Sequence, residues 1–99
     1  MLNITKTVDG TTLTIAPEGI LNTSAAPQLE EELNQSLPGI AELVFDLEKL
    51  DYITSAGLRV VLAAQKAMSK QGSMKVRNVK PEIMKIFDMT GFTDWMNIE

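Results

Sequence analysis

The sequence predicts a single α/β domain over residues 1–99, with a mostly parallel, mixed sheet of five strands, an N-terminal hairpin and about three helices. Three observations lead to this fold class. Short β-rich segments alternate with segments of helical period, which indicates parallel strands joined by crossover helices. The dipeptide Asp9-Gly10 separates two alternating segments, as in a hairpin. The 99 residues are enough for one hydrophobic core and too few for two.

The first two strands are predicted from alternation of apolar and polar residues. Residues 2–8 alternate with Lys6 as the one exception, and residues 12–15 alternate without exception. We expect a type I′ turn between them, because Gly10 tolerates a positive φ. Pro17 is expected to end regular pairing of the second strand, because proline has no N–H to donate.

A leucine stripe over residues 29–37, spaced every four residues, predicts the first helix. Thr23 or Ser24 is expected to cap this helix with its hydroxyl. Pro27 suits the first helical turn, where backbone N–H groups have no intrahelical partner. Pro38 and the glycine after it are expected to end the helix.

The remaining elements follow from three further patterns. Residues 43–45 are continuously apolar and predict a strand that is covered on both faces. Residues 55–71 have apolar positions on one face of a helix, and Gly72 is a suitable residue to follow it. Residues 74–77 alternate as a strand, and residues 81–91 predict a third helix. Whether the helices cover one face of the sheet or both is left open.

Methionine and aromatic residues are concentrated towards the C-terminus. We interpret them as core residues, with a hydrophobic docking patch as the alternative. The last apolar segment is expected to form a short strand. The residues interpreted as core are Met84, Phe87, Met89, Phe92, Trp95 and Met96. The last apolar segment comprises Phe92, Trp95, Met96 and Ile98.

Composition limits the chemistry that the chain can perform. It contains no cysteine, which excludes disulfides and thiolate nucleophiles, and no histidine, the commonest general base and zinc ligand. We therefore predict no catalytic residue, no metal and no cofactor. A net charge of −4 argues against binding to nucleic acid or to anionic membranes. The sequence shows no signal peptide, and we expect a cytoplasmic protein.

Two patterns in the sequence are similar to those of known phosphoryl- or acyl-transfer sites. Ser55 between a strand and a helix is similar to the nucleophile elbow of hydrolases, but Ile53 occupies the place of the required glycine. A Ser55–Lys49 pair remains open on spacing. Asp46 at a strand end is similar to the phosphoacceptor of a response-regulator receiver, but Glu18 lacks the acidic neighbour that a Mg²⁺ site needs. Asp46 and Asp51 are more simply explained as residues that hold the connection through hydrogen bonds.

The charge is unevenly distributed along the chain. Residues 1–55 contain nine acidic and two basic residues, whereas residues 56–99 contain four acidic and seven basic residues. The basic half is an alternative RNA-binding surface, but no aromatic residues are interleaved with its basic residues for base stacking. A solvated basic flank explains it better, and some of these cations could meet an acidic partner. They are Arg59, Lys66, Lys70, Lys75, Arg77, Lys80 and Lys85.

Functional sites in α/β sheets form beyond the carboxyl ends of the parallel strands. That edge should gather residues 19–24, 47–55 and 78–81. Ser55 would lie at the start of the second helix, where Thr54 or Ser55 can act as the cap. Backbone N–H groups and the helix dipole favour negative charge at this position. Thr54 and Ser55 could also be no more than caps, with Gly57 packed against a strand.

The segments 18–26 and 46–58 resemble the STAS domain of bacterial anti-sigma factor antagonists. The family pattern is an acidic strand end, an apolar spacer, a hydroxyl or acidic residue, then Ser, a small residue, Gly and Leu. The run from Ile53 to Leu58 fits this pattern. The segments 77–81 and 87–92 are also similar, so the resemblance extends over essentially the whole chain.

The resemblance implies a protein that binds an anti-sigma factor serine kinase and so frees a sigma factor. The kinase would phosphorylate Ser55 to end the complex, with Thr54 as a second candidate acceptor, and a serine phosphatase would reset it. Two residues depart from the family pattern, since Thr54 and Asn22 stand where Asp is frequent. Other STAS-like domains serve in sensory assemblies or as regulatory tails of anion transporters. These roles, or less simply a small serine-dependent enzyme, are the alternatives.

The expected partner surface comprises the start of the second helix and the two neighbouring loops. We expect a monomer, with no nucleic-acid or membrane partner. Tyr52 and Ile53 fit the core about as well as the surface. The predicted contact residues are Leu21, Asn22, Thr23, Tyr52, Ile53, Thr54, Ser55, Ala56, Gly57 and Arg59.

Overall fold

The computed structural model describes residues 2–91 and 97–99. It confirms the predicted fold class, a single α/β domain with a mixed sheet, an N-terminal hairpin and three helices. The elements in chain order are β1 (Asn3–Asp9), β2 (Thr12–Leu21), α1 (Ala26–Ser36), β3 (Glu42–Asp46), β4 (Leu50–Ile53), α2 (Ser55–Gln71), β5 (Ser73–Arg77), α3 (Pro81–Thr90) and β6 (Asn97–Ile98).

The sheet contains one strand more than the sequence predicted. Its order is β1-β2-β3-β5-β6, and β4 pairs with β2 alone. β2 is parallel to β3 over Thr12–Ile15 and then parallel to β4 over Gly19–Leu21. β3 and β4 are thus successive segments beside one long strand, separated by a turn at residues 47–49. The sequence did not predict β4, because charged residues in and after this turn made residues 47–54 look like a loop between β3 and the second helix.

The hairpin forms where it was predicted, with a different turn type. Asp9 pairs with Thr12, so Gly10 and Thr11 are the two turn residues. Gly10 has a φ of +63°, and Asn78 is the only non-glycine residue with positive φ in the described part of the chain. A left-handed first residue alone is the pattern of type II′, because type I′ needs both residues left-handed. The predicted type I′ turn is therefore wrong.

Pro17 lies inside β2, so the prediction that it ends regular pairing is wrong. It pairs with Ile4 of β1. On the other side of β2, the pairing with β3 ends at Ile15 and the pairing with β4 begins at Gly19. Pro17 falls between these two ranges, where a missing N–H removes no hydrogen bond from a parallel ladder.

The helices pack on one face of the sheet and not on both, a point that the sequence did not decide. Strand register aligns two apolar rows on this face, and they share one core with buried residues of all three helices. On the opposite face, Val44 is buried between its half-buried register neighbours Thr14 and Lys75, so β3 is covered on both faces as predicted. Lys75 pairs with Glu42 at 3.3 Å. The rows are Leu13, Leu43 and Met74, then Ile15, Phe45 and Val76.

Lys6 belongs to the core-facing parity of β1, opposite Ile15. Its ammonium lies 2.7 Å from a carboxylate oxygen of Glu32 and 3.1 Å from the Ser36 hydroxyl, both in α1. A lysine is tolerated at this position because the long side chain reaches polar partners at the edge of the core.

The C-terminal apolar residues divide between core and surface. Phe87 is fully buried, as the core interpretation predicted, whereas Met89 is 85% exposed and is not a core residue. Ile98 lies in the two-residue strand β6. Phe92, Trp95 and Met96 lie outside the described residues.

Asn22, rather than Thr23 or Ser24, caps the turn that leads into α1. The Asn22 side-chain oxygen accepts a hydrogen bond from the backbone N–H of Ala25 at 2.9 Å, and its carbonyl accepts one from Ala26 at 2.8 Å. The predicted hydroxyl cap is wrong, because neither the Thr23 nor the Ser24 hydroxyl forms a hydrogen bond within the described residues, and Ala25, directly before the helix, has no side-chain cap.

Gly57 lets the first turn of α2 pack against the ends of β2 and β4. A methyl group on this residue would lie 2.7 Å from Leu21 Cγ, 2.8 Å from Ile53 Cγ1 and 2.8 Å from the Leu21 carbonyl oxygen. One of these neighbours is backbone and both side chains are 1% exposed, so neither can move away cheaply.

Asn22→Ala should lower the free energy of unfolding by about 0.5–2 kcal/mol, because the Ala25 N–H loses its side-chain acceptor. Asn22→Asp keeps an oxygen in the same place and should stay close to the wild type. Urea denaturation of the three proteins measures this. Equal stability of the Ala and Asp variants would contradict the assigned cap.

Gly57→Ala should lower the free energy of unfolding by about 1–3 kcal/mol through overpacking. Helix propensity alone predicts the opposite sign, since Ala is favoured over Gly by about 1 kcal/mol within a helix. Ala63→Ser on the exposed side of α2 is the control and should change stability by less than about 0.5 kcal/mol. A more stable Gly57→Ala protein in chemical denaturation would show that the close approach is absent.

Candidate functional site

The candidate site lies where β2 and β4 end and α2 begins. Pairing of Gly19–Leu21 with Leu50–Ile53 places the ends of the two strands side by side. The carbonyl oxygen of Leu21 accepts hydrogen bonds from the backbone N–H of Thr54 at 3.0 Å and from its hydroxyl at 3.4 Å. Two of the three segments predicted for this edge, 19–24 and 47–55, are therefore joined directly.

The third segment, 78–81, is joined through side chains. The Lys80 ammonium lies 3.0 Å from Asp51, and Asn78 donates to the Asp46 carboxylate at 3.0 Å. The predicted edge of the sheet is thus assembled from all three segments.

Asp46 has a structural position at the end of β3. One of its carboxylate oxygens accepts from the Asn78 amide and from the Glu48 backbone N–H at 3.2 Å, and the other lies 3.7 Å from the Arg77 guanidinium. These contacts confirm that Asp46 holds the connection between strands. Asp51 does so by its ion pair with Lys80 rather than by a bond to backbone. This arrangement favours the bracing role of Asp46 over that of a phosphoacceptor.

Ser55 is the first residue of α2, and it is exposed. In residues 2–91 and 97–99, no group accepts from or donates to its hydroxyl. Thr54 occupies the cap position with extended backbone angles, φ −99° and ψ 175°, but its hydroxyl donates to Leu21 instead of capping the helix. The expectation that a hydroxyl of Thr54 or Ser55 caps α2 is therefore wrong. The Ser55 oxygen is left accessible, whereas the half-buried Thr54 oxygen is engaged.

The electrostatic setting of Ser55 favours added negative charge. The first backbone N–H groups of α2 have no intrahelical acceptor, and the helix dipole is positive at this end. No acidic residue lies in the first turn of the helix, and Arg59 is exposed one turn further along. Residues four apart share a helix face. An anionic group on Ser55 is compatible with the helix that carries it.

The predicted contact residues divide by burial. Leu21 and Ile53 are each 1% exposed, and Gly57 is also buried, so these three support the site and offer no side chain to a partner. Because these three residues are buried, we no longer expect them to contact a partner directly. The accessible members are Thr23, Tyr52, Ser55 and Arg59, with Asn22, Thr54 and Ala56 half-buried.

Ile20 was missed by the sequence analysis, although it is 50% exposed at the same rim. It pairs in register with Tyr52, which is also 50% exposed. The alternation of β2, continued past Pro17, was the signal that could have placed Ile20 on the outer face.

A shallow depression of about 270 Å³ lies beside the site, between the beginnings of α1 and α2. Arg59 and Glu30 contribute charges to its lining, and Thr23 and Ala56 belong to the predicted surface. Lys49, the residue considered for a pair with Ser55, lies 3.9 Å from Glu18 and has an exposed side chain. The described helices include none that is long and apolar enough to cross a bilayer.

Comparisons with known proteins agree with this architecture. The chain is 42% identical over 77 residues to the putative anti-sigma factor antagonist BtrV of Bordetella bronchiseptica, a match that covers 76% of this chain and 66% of that relative, just under two thirds. It is 33% identical over 81 residues to the anti-sigma-B factor antagonist of Bacillus subtilis, covering 81% and 74% of the two chains.

Solved structures share the fold at low sequence identity. An anti-sigma factor antagonist from Mycobacterium paratuberculosis superposes with a TM-score of 0.90 at 18% identity, covering 99% of this chain and 85% of that chain. The Bacillus cell fate determinant SpoIIAA in its phosphorylated form superposes with a TM-score of 0.75 at 20% identity, covering 100% and 91%. The sequence model of the STAS domain family matches residues 3–99 of the chain. The resemblance seen in the sequence is confirmed, and this chain belongs to the STAS domain family.

Proposed function

We propose that this chain is an anti-sigma factor antagonist that is switched by phosphorylation of Ser55. It binds an anti-sigma factor serine kinase and so releases a sigma factor for transcription. Phosphate on Ser55 ends the complex, and a serine phosphatase restores it. The chain acts in the cytoplasm as a monomeric domain over residues 1–99, with no catalytic step, nucleic acid or membrane of its own.

One observation carries this proposal, namely the exposed and unengaged hydroxyl of Ser55 at the first position of α2. A kinase needs access to the acceptor oxygen, and Ser55 offers it where the neighbouring Thr54 hydroxyl is bonded to Leu21. The names of the relatives from Bordetella and Bacillus support the antagonist role. The phosphorylated SpoIIAA structure supports phosphate as a modification compatible with this fold.

The switch acts on the surface rather than on the fold. A phosphoserine carries about −1.5 to −2 charges at neutral pH. At a helix N-terminus this charge is favourable, by about 0.3–1 kcal/mol for an exposed site. The folded chain therefore tolerates the modification, whereas a partner that covers Ser55 must accommodate a bulky, hydrated anion. Phosphorylation consequently weakens binding without unfolding the antagonist.

Ser55→Asp should weaken binding of the purified anti-sigma factor kinase at least about tenfold, since an anion at an interface centre costs more than 1.4 kcal/mol. Ser55→Ala is the matched control and should bind as the wild type does. Thermal unfolding of both variants should stay near that of the wild type, because the position is exposed. Calorimetric titration and circular dichroism measure the two quantities.

Phosphorylation itself is mapped by mass spectrometry after incubation with the kinase and ATP. Phosphate should be found on Ser55, should persist in Thr54→Ala and should be absent from Ser55→Ala. Equally tight binding by Ser55→Asp and Ser55→Ala would refute the switch, and so would phosphate confined to Thr54.

A further inference from the structure

The geometry points to an apolar contact site formed by Ile20 and Tyr52, hereafter the Ile20–Tyr52 patch, which receives a large apolar side chain of the anti-sigma factor. This inference rests on the proposed function, because the occupant is the partner that Ser55 controls. It adds the residues that hold that partner and the physical reason that phosphate releases it.

The patch is exceptional among the exposed apolar residues of the described chain. Four large apolar side chains are substantially exposed there, namely Val8, Ile20, Tyr52 and Met89. Of these, Ile20 and Tyr52 are direct partners in the strand register, so their side chains are neighbours on one face. Val8 is paired with the buried Leu13, and Met89 lies in α3. Only the Ile20–Tyr52 patch joins two such side chains into one surface.

An irregularity in strand pairing produces the patch. Gly19 pairs with Leu50 and Ile20 pairs with Tyr52, so Asp51 is the extra residue of a bulge in β4. The Asp51 carboxylate bonds to Lys80, and Tyr52 remains beside Ile20. Bulges redirect side chains at the edges of sheets. Because of the bulge, Tyr52 pairs with Ile20, whereas in a regular strand Asp51 would occupy that position.

Ile20 also borders an open groove of about 330 Å³. β1 pairs with β2 only as far as Glu18, so Ile20 lies beyond the end of the neighbouring strand. Leu2 and Ala25 contribute apolar atoms to the groove, and Asn22 and Gln28 contribute polar ones. The groove therefore extends the accessible surface of Ile20 on the side of β2 away from Tyr52.

The charges next to the patch are neutralised within the chain. Asp51, which precedes Tyr52, pairs with Lys80 at 3.0 Å, and Glu18, two residues before Ile20, lies 3.9 Å from Lys49. The Asp51 and Lys49 side chains stay 68% and 71% exposed, so paired charges border the apolar area. Tyr52 within that area is of a residue type enriched where interfaces concentrate their binding energy.

The patch and Ser55 belong to one rigid unit. Ser55 follows Tyr52 by three residues, and Thr54 between them is bonded to Leu21, the residue after Ile20. A partner that covers the patch therefore approaches Ser55 as well. Phosphate beside an apolar contact must lose water when the partner docks, which is strongly unfavourable for an anion without a counter-charge. Desolvation of the phosphate is thus the cause of release.

The test is titration calorimetry of the purified anti-sigma factor kinase with single variants of the full chain. Ile20→Ala and Tyr52→Ala should each weaken binding at least about tenfold, as expected of interface residues that carry binding energy. Tyr52→Phe should retain most of the affinity, because the ring is kept. Val8→Ala is the matched control, an apolar residue 58% exposed on the same sheet, and should stay within about twofold of the wild type.

The outcomes separate this inference from the proposed function. If Ser55→Asp releases the kinase while Ile20→Ala and Tyr52→Ala bind like the wild type, the patch is refuted and the switch stands. If the wild-type chain does not bind the kinase at all, both fail. If sedimentation shows that the two variants abolish self-association and leave kinase affinity unchanged, the occupant is a second copy of this chain, and the inference is overturned.

Discussion

The close approach of α2 to the ends of β2 and β4 is the constraint on which the rest of the site depends. Gly57 has no side chain where Leu21 and Ile53 press against the helix. The same strand end supplies the Leu21 carbonyl that fixes both the backbone and the hydroxyl of Thr54. With Thr54 held on one side and Gly57 on the other, Ser55 is presented at the surface on a short, fixed stretch of backbone.

In the proposed switch, this arrangement separates the effect of phosphate on partner binding from the stability of the fold. Buried apolar residues hold the helix in place, while Ser55, the proposed acceptor, is exposed. Charge added at the start of a helix is favourable for that helix. Its unfavourable effect is confined to a partner that must remove water from it. A small domain with little stability to spare can in this way carry a strong regulatory signal.

Much of the architecture follows from local sequence. The bounds of α2 were predicted correctly because a sustained helical period runs between a residue able to start a helix and Gly72. The hairpin position followed from Asp9-Gly10, and the covered strand β3 from three consecutive apolar residues. Each of these signals is contained in a few adjacent residues, and the tertiary contacts of the folded chain agree with it.

The features that were missed depend on contacts between distant residues. β4 is defined by its pairing with the far end of β2, and its two central residues are exposed, so no apolar run marks it. Asn22 caps the turn before α1 because β2 ends at Leu21 and places the next residue at the start of that turn. The alternation of β2 places Ile20 on the outer face, but its position beside Tyr52 depends on the pairing of β2 with β4. The identity of Ser55 as a candidate acceptor came from family resemblance, since a lone serine at a helix start fits a simple cap equally well.

The most direct test of the account is amide hydrogen exchange at Thr54, compared between the unmodified chain and the chain phosphorylated on Ser55. The Thr54 N–H is bonded to the Leu21 carbonyl at 3.0 Å and reports whether the start of α2 stays docked. We predict similar protection in both forms, because phosphate changes the surface and not the support. Loss of protection at Thr54 on phosphorylation would contradict the account, since the switch would then act by local unfolding.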